Sequence, residues 1–241
     1  MAAQPPVRLT VTFDVFSALV DSRRGGGAFL ASLAAARGWP ADGDAVYARW
    51  DALNKRAHRD CAGWVPFREL SAGALAAAYA ELGLGGDPVA DNDALLESVA
   101  DWPLWPDVAA GVEAVAREAR VGLLSNVDDD VLARTRVRHL PLDPAAVVTS
   151  ERVRAYKPHP RLYAEAGRLL GRYVHVASSA RDVRGSLEAG LPVVRLARPG
   201  HVLDPEGPVP AWSTDDAAEL PGLVRRCADP PSPRQSPAAP V

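Results

Sequence analysis

The stretch "VRLTVTFDVFSALVDS", residues 7–22, decides how the rest of the chain is read. Its opening, Val7 to Phe13, is rich in β-branched and apolar side chains and reads as a buried strand. Asp14 closes that run where a strand should end. On its own it is most simply a turn residue. A carboxylate at a strand terminus becomes a reactive group only if other polar side chains converge on it, so the remaining strand ends matter.

Downstream, "RRGGG" at 23–27 reads as a flexible break, and the glycines as a hinge; no GK[ST] follows to make them a phosphate cradle. From Ala28 to about Trp102 the pattern is helical. "AFLASLAAARG" is Ala-rich and stops at Gly38, "DAVYARWDALNKRAHRD" sets Val46, Trp50 and Leu53 on one face, and "FRELSAGALAAAYAELGLGG" runs out in glycine. Strands and helices then alternate. Helix "DVAAGVEAVAREA" leads to strand "RVGLLS", "DDDVLARTRVRHL" to "AAVVTS", "PRLYAEAGRLL" to "YVHVAS", and "DVRGSLEAG" to "LPVVRLA". This alternation predicts an α/β fold, a Rossmann-like parallel sheet with helices on both faces. Residues 1–23 and 105–228 form the expected core domain, 24–104 an inserted α-helical cap, and the Pro-rich 229–241 a disordered tail.

The bulk composition suits one such unit. The chain has 241 residues, 48% of them apolar, with 30 acidic against 27 basic side chains. So slight an imbalance gives no reason to expect nucleic acid or an anionic membrane surface as partner; a small-molecule substrate is expected instead. Cys61 and Cys227 offer neither metal spacing nor a disulfide framework, which suits a reducing cytoplasm. The first residues lack the pattern of a signal peptide, and no apolar run is long enough to span a bilayer.

In an open parallel sheet, chemistry gathers beyond the carboxyl ends of the strands. Four such ends carry polar groups: Asp14; Ser125-Asn126 after "VGLL"; Lys157 beyond "VVTS"; and Ser178-Ser179 with Asp182 after "VHVA". In this order the segments "FDVFSALVD", "LLSN", "RAYKPHPRLY" and "ASSARDVRGSLEAG" resemble the four motifs of the haloacid dehalogenase superfamily, over about residues 7–22 and 105–200. The cap is placed by analogy.

Two departures from the superfamily's phosphatases point toward its L-2-haloacid dehalogenases. Phosphatases usually place a second Asp two residues after the nucleophile to protonate the leaving oxygen; this chain has Phe16, which cannot donate a proton. Phosphatases also have Gly-Asp at the positions of Ala177-Ser178, and that Asp ligates magnesium. A neutral hydroxyl is a poor substitute for a hard anionic oxygen.

The resemblance therefore implies a metal-independent, cofactor-free hydrolase that removes halide from a small 2-haloacid through an aspartyl ester. Asp14 would be the nucleophile, and Lys157 would keep it ionised and oriented. Asp182 would hold Lys157 or orient water. Ser125, with backbone amides near Val127, would bind the substrate carboxylate, and Asn126 could donate to the departing halide. Phe16, Tyr163, Ser178, Ser179 and Arg181 would complete the substrate pocket. Dimers are common in the resembling family, so a homodimer is expected on that ground.

Other positions depart from the dehalogenase pattern. Ser17-Ala18 replaces Gly-Thr, so the threonine hydroxyl is missing. Asp51 follows Trp50 where an arginine is usual, and Arg49, Arg56 or Arg59 could stand in for it. Ser179 replaces Asn and Arg181 replaces an aromatic residue, which leaves Arg181 as a possible anion donor. Two rivals follow: a Mg²⁺-dependent phosphatase of the same superfamily, and a member that has lost catalysis and serves as a binding protein. Among the remaining polar residues, Asp128, Asp129 and Asp130 read as N-terminal helix acids. The tryptophans at 39, 50, 64 and 102 read as core. His58, His139, His175 and His201 share no ligand spacing and receive no role.

Overall fold

The computed structural model describes residues 8–229; the expected tail, save Asp229, and the first seven residues lie outside it. Strand β1 (Thr10–Phe13) is followed by four helices, α1 (Ser22–Arg37), α2 (Gly43–Asp60), α3 (Phe67–Leu82) and α4 (Pro88–Glu97). The alternating part then runs α5 (Val108–Ala116), β2 (Arg120–Ser125), α6 (Asp129–Arg134), β3 (Val147–Thr149), α7 (Ser150–Val153), α8 (Pro160–Leu170), β4 (Tyr173–Ala177), α9 (Ala180–Glu188), β5 (Val193–Leu196), β6 (Trp212–Thr214) and α10 (Leu220–Ala228). The six strands form one parallel sheet in the order β3-β2-β1-β4-β5-β6.

Every residue of β1 is buried, because the strand pairs in register with β2 on one side and β4 on the other. A strand with two parallel neighbours and helices over it is buried on both faces, so even its two threonines lie inside, where the Thr12 hydroxyl is met by His175. The chain order reverses across β1, between β2 and β4. The ends of those three strands therefore border the crevice where open parallel sheets bind ligands.

The expected glycine hinge is not there. Gly25, Gly26 and Gly27 lie inside α1, which starts on the Asp21 cap and ends at Gly38 with a left-handed φ of 63°. A methyl group on Gly25 would sit 2.3 Å from the Trp102 ring, and one on Gly26 2.5 Å from the Tyr47 ring. The glycines are thus read better as sites of close helix–ring packing than as a break. The price is intrinsic helix propensity, about 1 kcal/mol per glycine.

The helices α1–α4 are joined to the strand-end loops by specific polar contacts. The Asp128 carboxylate accepts from the backbone amides of Phe67 and Arg68 (2.9 and 3.0 Å), which open α3. Pro66, at the start of that helix, supplies no side-chain cap of its own. Asp128 thus caps a helix distant in sequence and not the short one it precedes, as the sequence pattern had implied. The Tyr156 hydroxyl donates to the Val65 carbonyl (2.8 Å) and the Trp105 indole to the Ser17 carbonyl (3.2 Å). No helix among the described residues is long and apolar enough to cross a membrane.

Candidate active site

Asp14 is the first residue beyond β1, its amide bonded to the Val176 carbonyl of the neighbouring strand. That bond fixes the backbone and turns the side chain into the crevice. Lys157 arrives from the loop between α7 and α8, and its ammonium lies 2.7 Å from Asp14 Oδ1, 2.6 Å from Asp182 Oδ2 and 2.7 Å from the Leu124 carbonyl. Three acceptors saturate the three donors of the ammonium. Lys157 is 3% exposed and Asp182 2%. Burial, the largest influence on Lys157, favours its neutral form, but the two carboxylates outweigh it and raise its pKa. Burial also opposes ionisation of Asp182, but Lys157 and His175 overcome it and hold the carboxyl well below the usual carboxylate range.

Two residues given no role in the sequence reading belong to this cluster. The Ser17 hydroxyl donates to Asp14 Oδ2, so a hydroxyl reaches the carboxylate from one position before the one where the motif carries its threonine. His175, fully buried in β4, sets Nε2 3.1 Å from Asp182 Oδ2 and Nδ1 2.9 Å from the Thr12 hydroxyl. A carboxylate only accepts, so Nε2 carries the proton and His175 orients Asp182 from behind. A histidine inside a buried strand needs such partners, and that was the available signal.

The other expected residues divide. Ser125, Asn126, Ser179, Arg181 and Phe16 line, with Asp14, Lys157 and Asp182, a cavity of about 690 Å³ between the strand ends and helices α1–α3. Ser125 Oγ is buried without a protein partner. Asn126 is committed elsewhere: its amide donates to the Lys157 carbonyl (3.1 Å) and accepts from the Lys157 amide (2.7 Å), so it clamps the backbone that carries the lysine. The Val127 amide, expected to hold a substrate carboxylate, is taken by Ser150 Oγ (2.9 Å), and the Asp129 amide by Glu151 (2.6 Å). Tyr163 and Ser178 are not among the lining residues. The Tyr163 hydroxyl donates to Asp182 Oδ1 (3.3 Å), and Ser178 is fully buried. Ser179 caps α9 by accepting from the Asp182 amide.

On the opposite wall the usual arginine is replaced by Asp51, which Lys55 neutralises at 2.5 Å. Arg181 stretches across and donates from Nη1 to the Lys55 carbonyl (2.7 Å). Among the described residues that is the guanidinium's one hydrogen bond, which leaves most of its five donors for a ligand. The stand-ins Arg49 and Arg59 are engaged with Glu81 and Asp60. Arg181 thus brings a guanidinium to the cavity from the first turn of α9, alongside Arg23, Arg24 and Lys55 of α1 and α2.

The donor set is poor for a divalent cation. The second-acid positions hold a phenyl ring and a hydroxyl, and a lysine ammonium lies between the two carboxylates. No group of three or more His, Cys, Asp or Glu side chains able to hold a metal occurs among the described residues.

The architecture is an α/β sheet with an aspartate, a lysine and a second aspartate gathered at its strand ends. A model of the haloacid dehalogenase-like hydrolase family matches residues 9–190, and the chain belongs to that family. Among solved structures it is similar to a defluorinating L-2-haloacid dehalogenase, at 26% identity and a TM-score of 0.76, covering 90% of this chain and 95% of the other. The L-2-haloacid dehalogenase from Xanthobacter autotrophicus with chloropropionic acid covalently bound aligns at 21% identity and a TM-score of 0.75, covering 90% and 98%. A magnesium-bound hydrolase of the superfamily from Bacillus subtilis aligns at 16% and 0.71, covering 90% and 98%. No curated protein matches the chain in sequence.

Proposed function

We propose that this hydrolase acts on a carbon–halogen bond, displacing halide from a 2-haloacid without a metal ion. The observation that carries the reading is the Lys157 ammonium held within 2.7 Å of Asp14 and 2.6 Å of Asp182. Phe16 and Ser178 stand where a phosphatase of the superfamily has two further acids, so the cation left beside the carboxylates is the Lys157 ammonium. With Phe16 in place of a proton donor, the site suits a leaving group that departs unprotonated.

In this reading the Asp14 carboxylate attacks the carbon bearing the halogen. A carbon–oxygen bond forms, the carbon–halogen bond breaks, and halide leaves with its electron pair. Water then adds to the Asp14 carbonyl carbon and the ester bond to the substrate oxygen breaks; one proton of the water passes to that oxygen to give the 2-hydroxy acid, the other to solvent, and Asp14 returns as a carboxylate with one oxygen from water. Lys157 and the Ser17 hydroxyl hold the nucleophile. Asp182 is a weak base, since Lys157 and His175 hold its pKa well below the usual carboxylate range, and it serves to hold Lys157. Arg181 and Ser125 take the substrate carboxylate, and the α1–α3 helices exclude bulk water.

Halide release from a panel of L-2-haloacids, unchanged by EDTA, tests the assignment. Magnesium-dependent turnover of p-nitrophenyl phosphate in its place would overturn it, and a folded protein silent in both assays would mark a binding protein.

A further inference from the structure

The cavity is larger than a two- or three-carbon haloacid needs. Its volume of about 690 Å³ falls in the range that encloses ligands of drug size, roughly 300–1,000 Å³. The excess space is not purely apolar. Asn54 and His58, each 6% exposed, lie one turn apart on α2 and line the cavity. Asn54 Oδ1 and both ring nitrogens of His58 have no hydrogen-bond partner within the protein. Leaving such atoms buried and unpaired is costly, because each has lost water without gaining a partner.

Their placement ties them to the reacting end. Phe16, two residues from Asp14, stacks on Phe67 with ring centroids 6.5 Å apart, and Phe67 packs on His58 at 5.3 Å. The imidazole is further fixed by stacking on Tyr156 at 4.5 Å. An aromatic wall therefore runs from the nucleophile to the two unpaired polar groups. Burial, and then the charge of Arg181, push His58 down to about 3, so it is neutral at ordinary pH. A neutral imidazole offers one donor and one acceptor, and the Asn54 carbonyl one acceptor. That set matches an uncharged group able both to donate and to accept, such as a primary amide or a hydroxyl.

We propose that Asn54 and His58 form a specificity subsite for an uncharged hydrogen-bonding group at the far end of the substrate's side chain, so that the preferred substrate is an extended 2-haloacid ending in an amide or hydroxyl. This rests on the cavity being the substrate site of the hydrolase proposed above. Arg181 holds the carboxylate, Asp14 meets the halogenated carbon, Phe16 and Phe67 flank the methylene chain, and the terminal group lies against Asn54 and His58.

The test uses halogen-free acids, so it does not depend on turnover. Calorimetric binding of 4-carbamoylbutanoate is compared with that of 5-methylhexanoate, its hydrocarbon isostere. The wild-type protein is expected to bind the carbamoyl acid at least about tenfold more tightly. In N54L/H58F, which keeps the stacking on Tyr156, the order should reverse. Equal affinity in the wild type, no binding of either acid, or a preference that survives in the double variant overturns the subsite. The wild-type comparison stands even if the double variant does not fold. Bromide release from 2-bromo-4-carbamoylbutanoate separates the two ideas. Binding preference without bromide keeps the subsite and removes the dehalogenase reading; bromide without preference does the reverse.

Discussion

The Lys157–Asp182 network on the strand-end floor of the cavity and the Asn54–His58 pair on its α2 wall hold buried polar side chains in opposite states. On the floor, Lys157 reaches three acceptors, and Asp182 is met by Lys157, His175, Tyr163 and Ser186. On the wall, Asn54 and His58 are just as buried but have unpaired atoms. A fully satisfied network is rigid and holds the nucleophile in one geometry. An unsatisfied one is energetically incomplete until a ligand arrives. The contrast separates groups that hold the reacting carboxylate from groups that choose what it reacts with.

Breaking the floor should have the largest effects. Asp14→Asn is expected to lower halide release at least about 10³-fold with the fold intact, measured by steady-state kinetics and circular dichroism. Retained activity would remove Asp14 as nucleophile. Lys157→Met leaves two carboxylates buried without their cation, and unfolding by denaturant should show a loss of about 3–5 kcal/mol together with loss of activity. A stable, active Lys157→Met protein would contradict the picture of the floor.

The wall should respond through pH. Because His58 is held neutral in the folded protein down to about 3 but protonates near 6.5 when unfolded, the unfolded state binds the extra proton. The stability this histidine contributes is therefore present above about 6.5 and is lost as pH falls, by about 1.4 kcal/mol per unit. Between pH 7 and 5 the wild type should lose about 2 kcal/mol more than His58→Phe, read from urea unfolding. Identical pH profiles would mean that the imidazole is not buried as described. Asp182, whose folded pKa is depressed, acts in the same direction at lower pH: its contribution is full above about 4 and fades below.

The smallest effect lies between the two regions. Asp128→Ala removes the cap from α3 and should cost about 0.5–2 kcal/mol. Urea unfolding reads the loss; an unchanged midpoint would mean that Asp128 does not hold the start of α3.

The floor was legible in the sequence because a rule of topology places the ends of parallel strands together, and Asp14, Lys157 and Asp182 each follow or flank such an end. His175 and Ser17 escaped because their roles come from neighbours across the sheet or one position off the motif. His58 and Asn54 could not have been singled out by any pattern: what marks them is the absence of partners, visible only once the surroundings are packed. Gly25 to Gly27 misled for a related reason. A glycine run weakens a helix locally, but here the rings of Trp102 and Tyr47 occupy the space that side chains would need. The edge strand β6 is three residues long, with no periodicity to betray it.

A single turnover in H₂¹⁸O, followed by mass spectrometry of the peptide containing Asp14, addresses the central claim most directly. The account expects one heavy oxygen in the Asp14 side chain and none in the first equivalent of 2-hydroxy acid. Label in the product with none in the Asp14 peptide would mean that water attacks the substrate itself, and the covalent mechanism would be wrong.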